Sequence, residues 1–140
     1  MVSSGSYSLR AIGFVRSRLA KKEDAPKQGF EGAPEAWVEI GPAFAEALDG
    51  LAAGDEIILL TWLHQGDRDT LRVHPRDDPR NPLKGVFATR SEDRPNPIGL
   101  HRVRVLEIAD AVRLRVEPLE VLHGTPVVDI KPVLEGSFDS

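Results

Sequence analysis

The sequence has no cysteine. Disulfide staples, thiolate catalysis and cysteine-bound zinc are therefore excluded. No apolar run approaches the roughly 20 residues that span a bilayer as a helix, so no membrane association is expected. The opening residues, MVSSGSYSLRAIG, lack the apolar stretch of a secretory signal, which predicts a cytoplasmic protein. Charge of one sign is not in excess either. The 18 Lys and Arg face 22 Asp and Glu, for a net charge of −4, so the overall balance does not advertise nucleic-acid binding. Also missing are G-x-G-x-x-G, the P-loop, H-E-x-x-H and G-x-S-x-G, which removes the standard routes to a dehydrogenase, an NTPase or a metalloprotease. The four histidines, His64, His74, His101 and His123, lack the local spacing of a metal site, and no metal is expected.

What is present suits one globular domain spanning residues 1–140, with 41% apolar and 29% charged residues. Its patterning is mainly that of strands. In VRLRVEPL, Val112, Leu114 and Val116 alternate with Arg113, Arg115 and Glu117, and HRVRVLEI alternates in the same way. Ala109 and Asp110 lie between the two, which predicts a hairpin. EIILLTWL, residues 56–63, is nearly continuous in apolar residues and predicts a strand buried on both faces. LRAIGFV, EAWVEI and TLRVH are further strand candidates. A helix is expected around AFAEALDGL, with Ala43, Ala47 and Leu48 at helical spacing. KKEDAPKQGFEGAP, residues 21–34, has the composition of a long loop. Short strands with turn residues between them, and no strand–helix alternation, predict a compact barrel or sandwich.

Three segments concentrate chemistry. The first is GVFATRSEDRPNPIGL, residues 85–100. Pro95 and Pro97 hold Arg94 and Asn96 extended, and VFATRS alternates as a strand would on its approach to the turn. Such a turn is either a stiff surface feature with solvated arginines or a preorganised ligand loop that loses little entropy on binding. The second is LEVLHGTPVVDIKPVL, residues 119–134, where His123, Gly124 and Thr125 form a turn and Asp129 and Lys131 share one face of an extended stretch. These two are a structural ion pair or part of a site. The third is WLHQGDRD, in which His64 and Gln65 follow the apolar strand directly, to cap the turn or to bind an amide or adenine edge.

With these residues the sequence resembles the TrmO family, also called YaeB-like or TsaA-like, from IGFVRS at residues 12–17 through to DIKPVL. The resemblance implies a mainly β fold, a compact antiparallel β-barrel with one or two short helices and long loops. It implies a dimer that uses S-adenosyl-L-methionine near its subunit interface. The implied activity is N6-methylation of threonylcarbamoyladenosine next to the anticodon (position 37) of tRNA. Cofactor contacts are implied at Pro26, Lys27 and Gln28, at His64 and Gln65, at Arg90 and Leu100, and at Leu122, His123, Gly124 and Thr125. His123 stands where the family pattern often has an aspartate. The chain ends soon after DIKPVL, where longer members continue, so it is expected to be a short form lacking the C-terminal domain.

The cofactor's sulfonium already carries the activated methyl, leaving the protein to align the reactants and dispose of a proton. Asp129 is the candidate base, or the group orienting the N–H, with Lys131 setting its charge. Arg90 is expected to orient a carboxylate by a bidentate bond. Arg94 and Asn96 are candidate substrate contacts. Arg68, Arg72, Arg76 and Arg80 after the His64–Gln65 strand end, with Arg102, Arg104, Arg113 and Arg115 on the polar faces of the hairpin, are candidates for an RNA-binding stripe. A small-molecule methyl acceptor and a non-catalytic S-adenosylmethionine-binding module are the alternatives.

Overall fold

The computed structural model describes residues 5–18 and 35–135. Eight strands run in chain order: β1 (Gly13–Arg16), β2 (Ala36–Ile40), β3 (Glu56–Trp62), β4 (Arg72–Val73), β5 (Lys84–Gly85), β6 (Ile98–Ala109), β7 (Arg113–Glu117) and β8 (Pro126–Pro132). Six close into an antiparallel barrel in the order β1-β2-β7-β6-β3-β8, and β4 and β5 pair as a separate ribbon. Closure removes the exposed edges that an open sheet would present. The interior is filled by one side chain in two from each wall strand, including Val15, Val38, Ile57, Leu59, Val103, Leu114, Val116 and Val127, all fully buried.

The alternations in β6 and β7 fold as their patterns predict. Their connection is one residue later than expected. Asp110 and Ala111 both have positive φ (52° and 63°), and the Val112 amide donates to Ala109 O at 3.3 Å. With Ala109 paired to Arg113, the strands are joined by three residues, Asp110, Ala111 and Val112, folded around this tight turn.

Two other expectations are corrected, and the expected helix takes the 3-10 form. The apolar β3 is not buried on both faces: Ile57, Leu59 and Thr61 point inward, while Ile58, Leu60 and Trp62 are half-exposed on the outer wall. The helix is a 3-10 segment, Pro42–Leu48, closed by bonds such as Phe44 N to Gly41 O at 2.8 Å. Seven residues between a Gly-Pro start and an exposed surface are too few to sustain an α-helix. VFATRS is not a strand, because Val86–Ala88 form a 3-10 turn that buries Val86 and exposes Phe87.

Candidate functional site

In an antiparallel barrel, alternate strands end at the same rim. The close of β3, the start of β6, the start of β8 and the close of β1 all meet at one end. The candidate segments issue from this rim. His64 and Gln65 leave β3, the Pro95–Pro97 turn enters β6, and Leu122–Thr125 enters β8. Backbone bonds fasten them together. The Leu63 amide donates to Pro97 O at 2.7 Å, Gly124 N donates to Val15 O at 2.8 Å, and Val15 N donates to Thr125 O at 2.9 Å.

Leu122–Thr125 is self-closed as well: Thr125 Oγ1 donates to Leu122 O at 2.7 Å and Gly124 has φ 87°. A Cβ on Gly124 would meet nothing within 4 Å, so the turn presents open backbone to solvent. His64, Gln65, Leu122 and Thr125 line a common cleft of about 70 Å³, with Glu92 and Glu120 among its other walls. His123 faces away from it. Its Nδ1 accepts from Ser17 N at 3.3 Å, and its ring borders a wider hollow of about 470 Å³ with Arg16, Trp37 and Arg115.

The Arg-Pro-Asn-Pro loop is built by its own polar groups. Thr89 Oγ1 donates to Val86 O at 2.9 Å, Ser91 N donates to Thr89 Oγ1 at 3.2 Å, and Asp93 N donates to Ser91 Oγ at 3.1 Å. The Arg94 guanidinium is turned into the loop, where Nη2 donates to Val86 O and, at 2.6 Å, to Thr89 O. Arg94 therefore braces the loop, leaving its buried Nε without a hydrogen-bond partner. Arg90 is exposed and makes no ion pair among the described residues. Asn96 is exposed between its two prolines, and its Oδ1 accepts from Arg68 Nη2 at 3.0 Å.

Leu100, Asp129 and Lys131 lie elsewhere. Across the barrel wall Leu100 pairs with Leu60, and Leu60 pairs with Asp129. These three share one rung of the outer face, and Lys131 lies one rung further, opposite Ile58. A bulge between Leu60 and Thr61 explains the facing: β8 advances two residues, Val127 to Asp129, for one step of β3. Val127 is thus in the core while Asp129 is outside. Asp129 Oδ2 is 3.9 Å from Lys131 Nζ, both exposed, and Asp129 Oδ1 accepts from Ile130 N at 2.9 Å. Asp129 and Lys131 do share a face, as their spacing predicts. Four residues of chain separate Leu60 from His64, about 13 Å at strand rise, so that face is distinct from the cleft. Pro26, Lys27 and Gln28 lie outside the described residues.

His101 was not a candidate from sequence. Its alternation with Val103 and Val105 turns the ring into the barrel, where Nε2 is 2.9 Å from Thr61 Oγ1. Burial pushes its pKa down to about 4, so the ring is neutral at physiological pH. The hairpin arginines of the expected stripe are each ion-paired. Arg102 and Arg104 lie 2.8 and 3.8 Å from Glu56, Arg113 lies 2.9 Å from Asp110, and Arg115 lies 2.9 and 3.0 Å from Glu35 and Glu107. Among the described residues no group of three or more His, Asp or Glu side chains is arranged to hold a metal ion.

Comparison with known proteins gives a consistent family. Residues 14–140 match the model of the tRNA-methyltransferase O N-terminal domain. A "Probable S-adenosyl-L-methionine-binding protein" of Methanothermobacter thermautotrophicus is 43% identical over 134 residues, covering 96% of this chain and 95% of the relative. An "S-adenosyl-L-methionine-binding protein" of Archaeoglobus fulgidus is 41% identical over 123 residues, covering 88% and 86%. The crystal structure of TrmO from Pseudomonas aeruginosa superposes with a TM-score of 0.73 at 34% identity, covering 97% of this chain and 61% of that one. This chain therefore spans a little under two thirds of the solved TrmO chain, and 95% and 86% of these two archaeal relatives.

Proposed function

Because the chain belongs to the family of the tRNA-methyltransferase O N-terminal domain, we propose that it is an S-adenosyl-L-methionine-dependent methyltransferase. Its proposed acceptor is N6 of threonylcarbamoyladenosine beside the anticodon of tRNA. The observation that carries this reading is the convergence of His64, Gln65, Leu122 and Thr125 on one cleft at the barrel rim. The donor set suits the cofactor. His64 and Gln65 offer hydrogen-bonding edges to an adenine, the open backbone at Gly124 offers close approach, and the exposed Arg90 offers a fork to a carboxylate. The cofactor, when bound, supplies a methyl group already activated on sulfur.

The chain's own task is then to hold that donor in line with the acceptor nitrogen and to take up a proton. Asp129, with Lys131 beside it, is the proposed proton acceptor. A base must come within about 3 Å of the proton it removes, whereas Asp129 belongs to the outer wall, away from the cleft of its own barrel. A two-fold dimer resolves this, with Leu100, Asp129 and Lys131 of one copy closing the cleft of the other. The outer wall suits such use, because Ile98 and Leu100 remain 43% and 49% exposed beside the half-exposed Leu60 and Trp62. Light scattering at the mass of two chains supports the dimer; a 15.4 kDa particle contradicts it.

Transfer of labelled methyl from S-adenosylmethionine to tRNA tests the reading. Label in the threonylcarbamoyladenosine nucleoside is the expected result, and label in no RNA species refutes it. A small-molecule acceptor is the second reading, favoured by the ion-paired arginines and the net charge of −4. In that case total tRNA fails to compete with a small-molecule acceptor.

A further inference from the structure

Arg68 stands at the junction between the His64–Gln65 corner and the Pro95–Pro97 turn. Its Nε donates to Pro95 O at 2.7 Å and its Nη2 donates to Asn96 Oδ1 at 3.0 Å. The guanidinium carbon lies 5.1 Å from the centroid of the Trp62 ring on the outer wall. The next residue on either side is also tied down: Asp67 N donates to Asp93 Oδ1 at 2.9 Å, and Asp69 N donates to Asp67 Oδ1 at 2.8 Å. Stacked on a ring and forked to two oxygens, this arginine has a fixed plane.

That plane decides which way Asn96 faces. A guanidinium carries donors only, so the Asn96 atom facing it must be the carbonyl oxygen; a flipped amide would set N–H against N–H. The Asn96 NH2 is thereby turned to the opposite side, where it donates to no described residue. The backbone cannot relieve this orientation, since Asn96 sits between two prolines and its own carbonyl accepts from Ile98 N at 2.7 Å. The result is a rigid, outward-facing pair of N–H donors on an exposed turn at the rim that holds the candidate cleft.

We infer that Arg68 is a positioning residue that makes Asn96 an obligate hydrogen-bond donor, and that Asn96 selects a methyl acceptor bearing a carbonyl oxygen beside the reacting nitrogen. An amide held this way rewards an acylated exocyclic amine, whose carbonyl is an acceptor. It offers nothing to a bare adenine amine, which presents N–H at the same place. A site built to hydrogen-bond one group discriminates strongly against the analogue lacking it. This inference rests on the proposed function for the identity of the acceptor.

The test uses two anticodon stem-loop RNAs that differ only in an N6-carbamoyl-type acyl group, with binding measured separately from methyl transfer. The wild-type protein should bind the acylated RNA at least tenfold more tightly than the plain one. Asn96→Asp replaces donors by acceptors and should abolish that preference, while leaving the affinity for S-adenosylmethionine unchanged. Arg68→Leu frees the amide to flip and should lose most of the preference, and Arg68→Lys, which keeps a charge but no fork, should lose part of it. The double variant Arg68→Leu/Asn96→Asp should be no worse than Asn96→Asp alone, whereas an arginine with a merely structural role would add its own loss. Equal binding of the two RNAs by the wild type overturns the inference, and so does a preference that survives in Asn96→Asp. Absence of methyl transfer despite a tenfold binding preference refutes the proposed function and leaves the selection by Asn96 standing.

Discussion

Substituting Gly99 by alanine places one methyl group where the barrel has no room for it. A Cβ built there lies 2.4 Å from Thr61 Oγ1, 2.7 Å from His101 Nε2 and 3.2 Å from Leu63 Cδ2. The first two atoms are partners in a 2.9 Å hydrogen bond inside the barrel, so the methyl must part them. Forcing a methyl into a filled interior costs about 1–3 kcal/mol. Leaving a buried polar group without its partner costs about 1–3 kcal/mol more. Alanine returns about 0.4–1 kcal/mol by stiffening the unfolded chain. The net expectation is a loss of about 1–5 kcal/mol centred near 3, which for a chain of this length lowers Tm by about 10 °C at the centre of that range. Differential scanning calorimetry with a urea titration checks both figures. Adding Thr61→Ala removes the nearest clashing atom, so the double variant should lose less than the two single losses combined. A Gly99→Ala protein melting within about 1 °C of wild type would refute the claim that this glycine reserves space for the Thr61–His101 pair.

His101 gives a pH dependence whose sign is fixed by its depressed pKa of about 4. The unfolded chain takes up this proton near pH 6.5, so stability is full above that pH and falls as pH drops from 6.5 toward 4, by up to about 3 kcal/mol. Urea midpoints across that range should show the slope, and His101→Gln should flatten it. Ala111, at φ 63° in the β6–β7 turn, carries a left-handed cost of about 1–2 kcal/mol. Glycine there returns about 0.5–1 kcal/mol of entropy cost, so Ala111→Gly should raise stability by about 0.5–1 kcal/mol in chemical denaturation; a loss contradicts the turn assignment. Arg90 and Arg94 should separate cleanly. Arg90→Ala should change stability by less than about 0.5 kcal/mol yet weaken S-adenosylmethionine binding at least fivefold by calorimetry. Arg94→Ala, which strips two carbonyls of their donor, should cost about 2–3 kcal/mol of stability in urea titrations.

The parts of the fold legible in the sequence are those where burial repeats with a fixed period. Val103, Val105, Leu114 and Val116 announce β6 and β7 because each wall strand has one wet face and one dry face. The same argument fails for β3, where the outward Ile58, Leu60 and Trp62 are apolar without being in the core, so a continuous apolar run mimics two-sided burial. It fails for VFATRS, because Arg94 gathers the Val86 and Thr89 carbonyls into a turn from several residues away. The site was half legible. His64, Gln65 and the Leu122–Thr125 turn stood out by their motifs, and barrel closure brings their elements to one rim. Arg68 was visible only as one charge among several, since its meaning comes from three contacts distant in sequence or offset across the rim. His101 carries a usable signal in its parity with the core residues Val103 and Val105.

The bulge in β8 is a change of phase. Before it the odd-numbered Val127 looks into the barrel; after it the even-numbered Ile130 packs on the core and the odd-numbered Asp129 and Lys131 look out. One strand thereby carries two independent frames, joined at Val128. The rim turn can be anchored by its own core valine, while the outer wall is composed separately, without either disturbing the other's alternation. Bulges also bend and overtwist the strand that bears them, so Val128 is the joint that sets the angle between the rim cleft and the Asp129 face. A change at that one residue can re-aim the rim turn relative to the outer wall while every side chain on both keeps its identity.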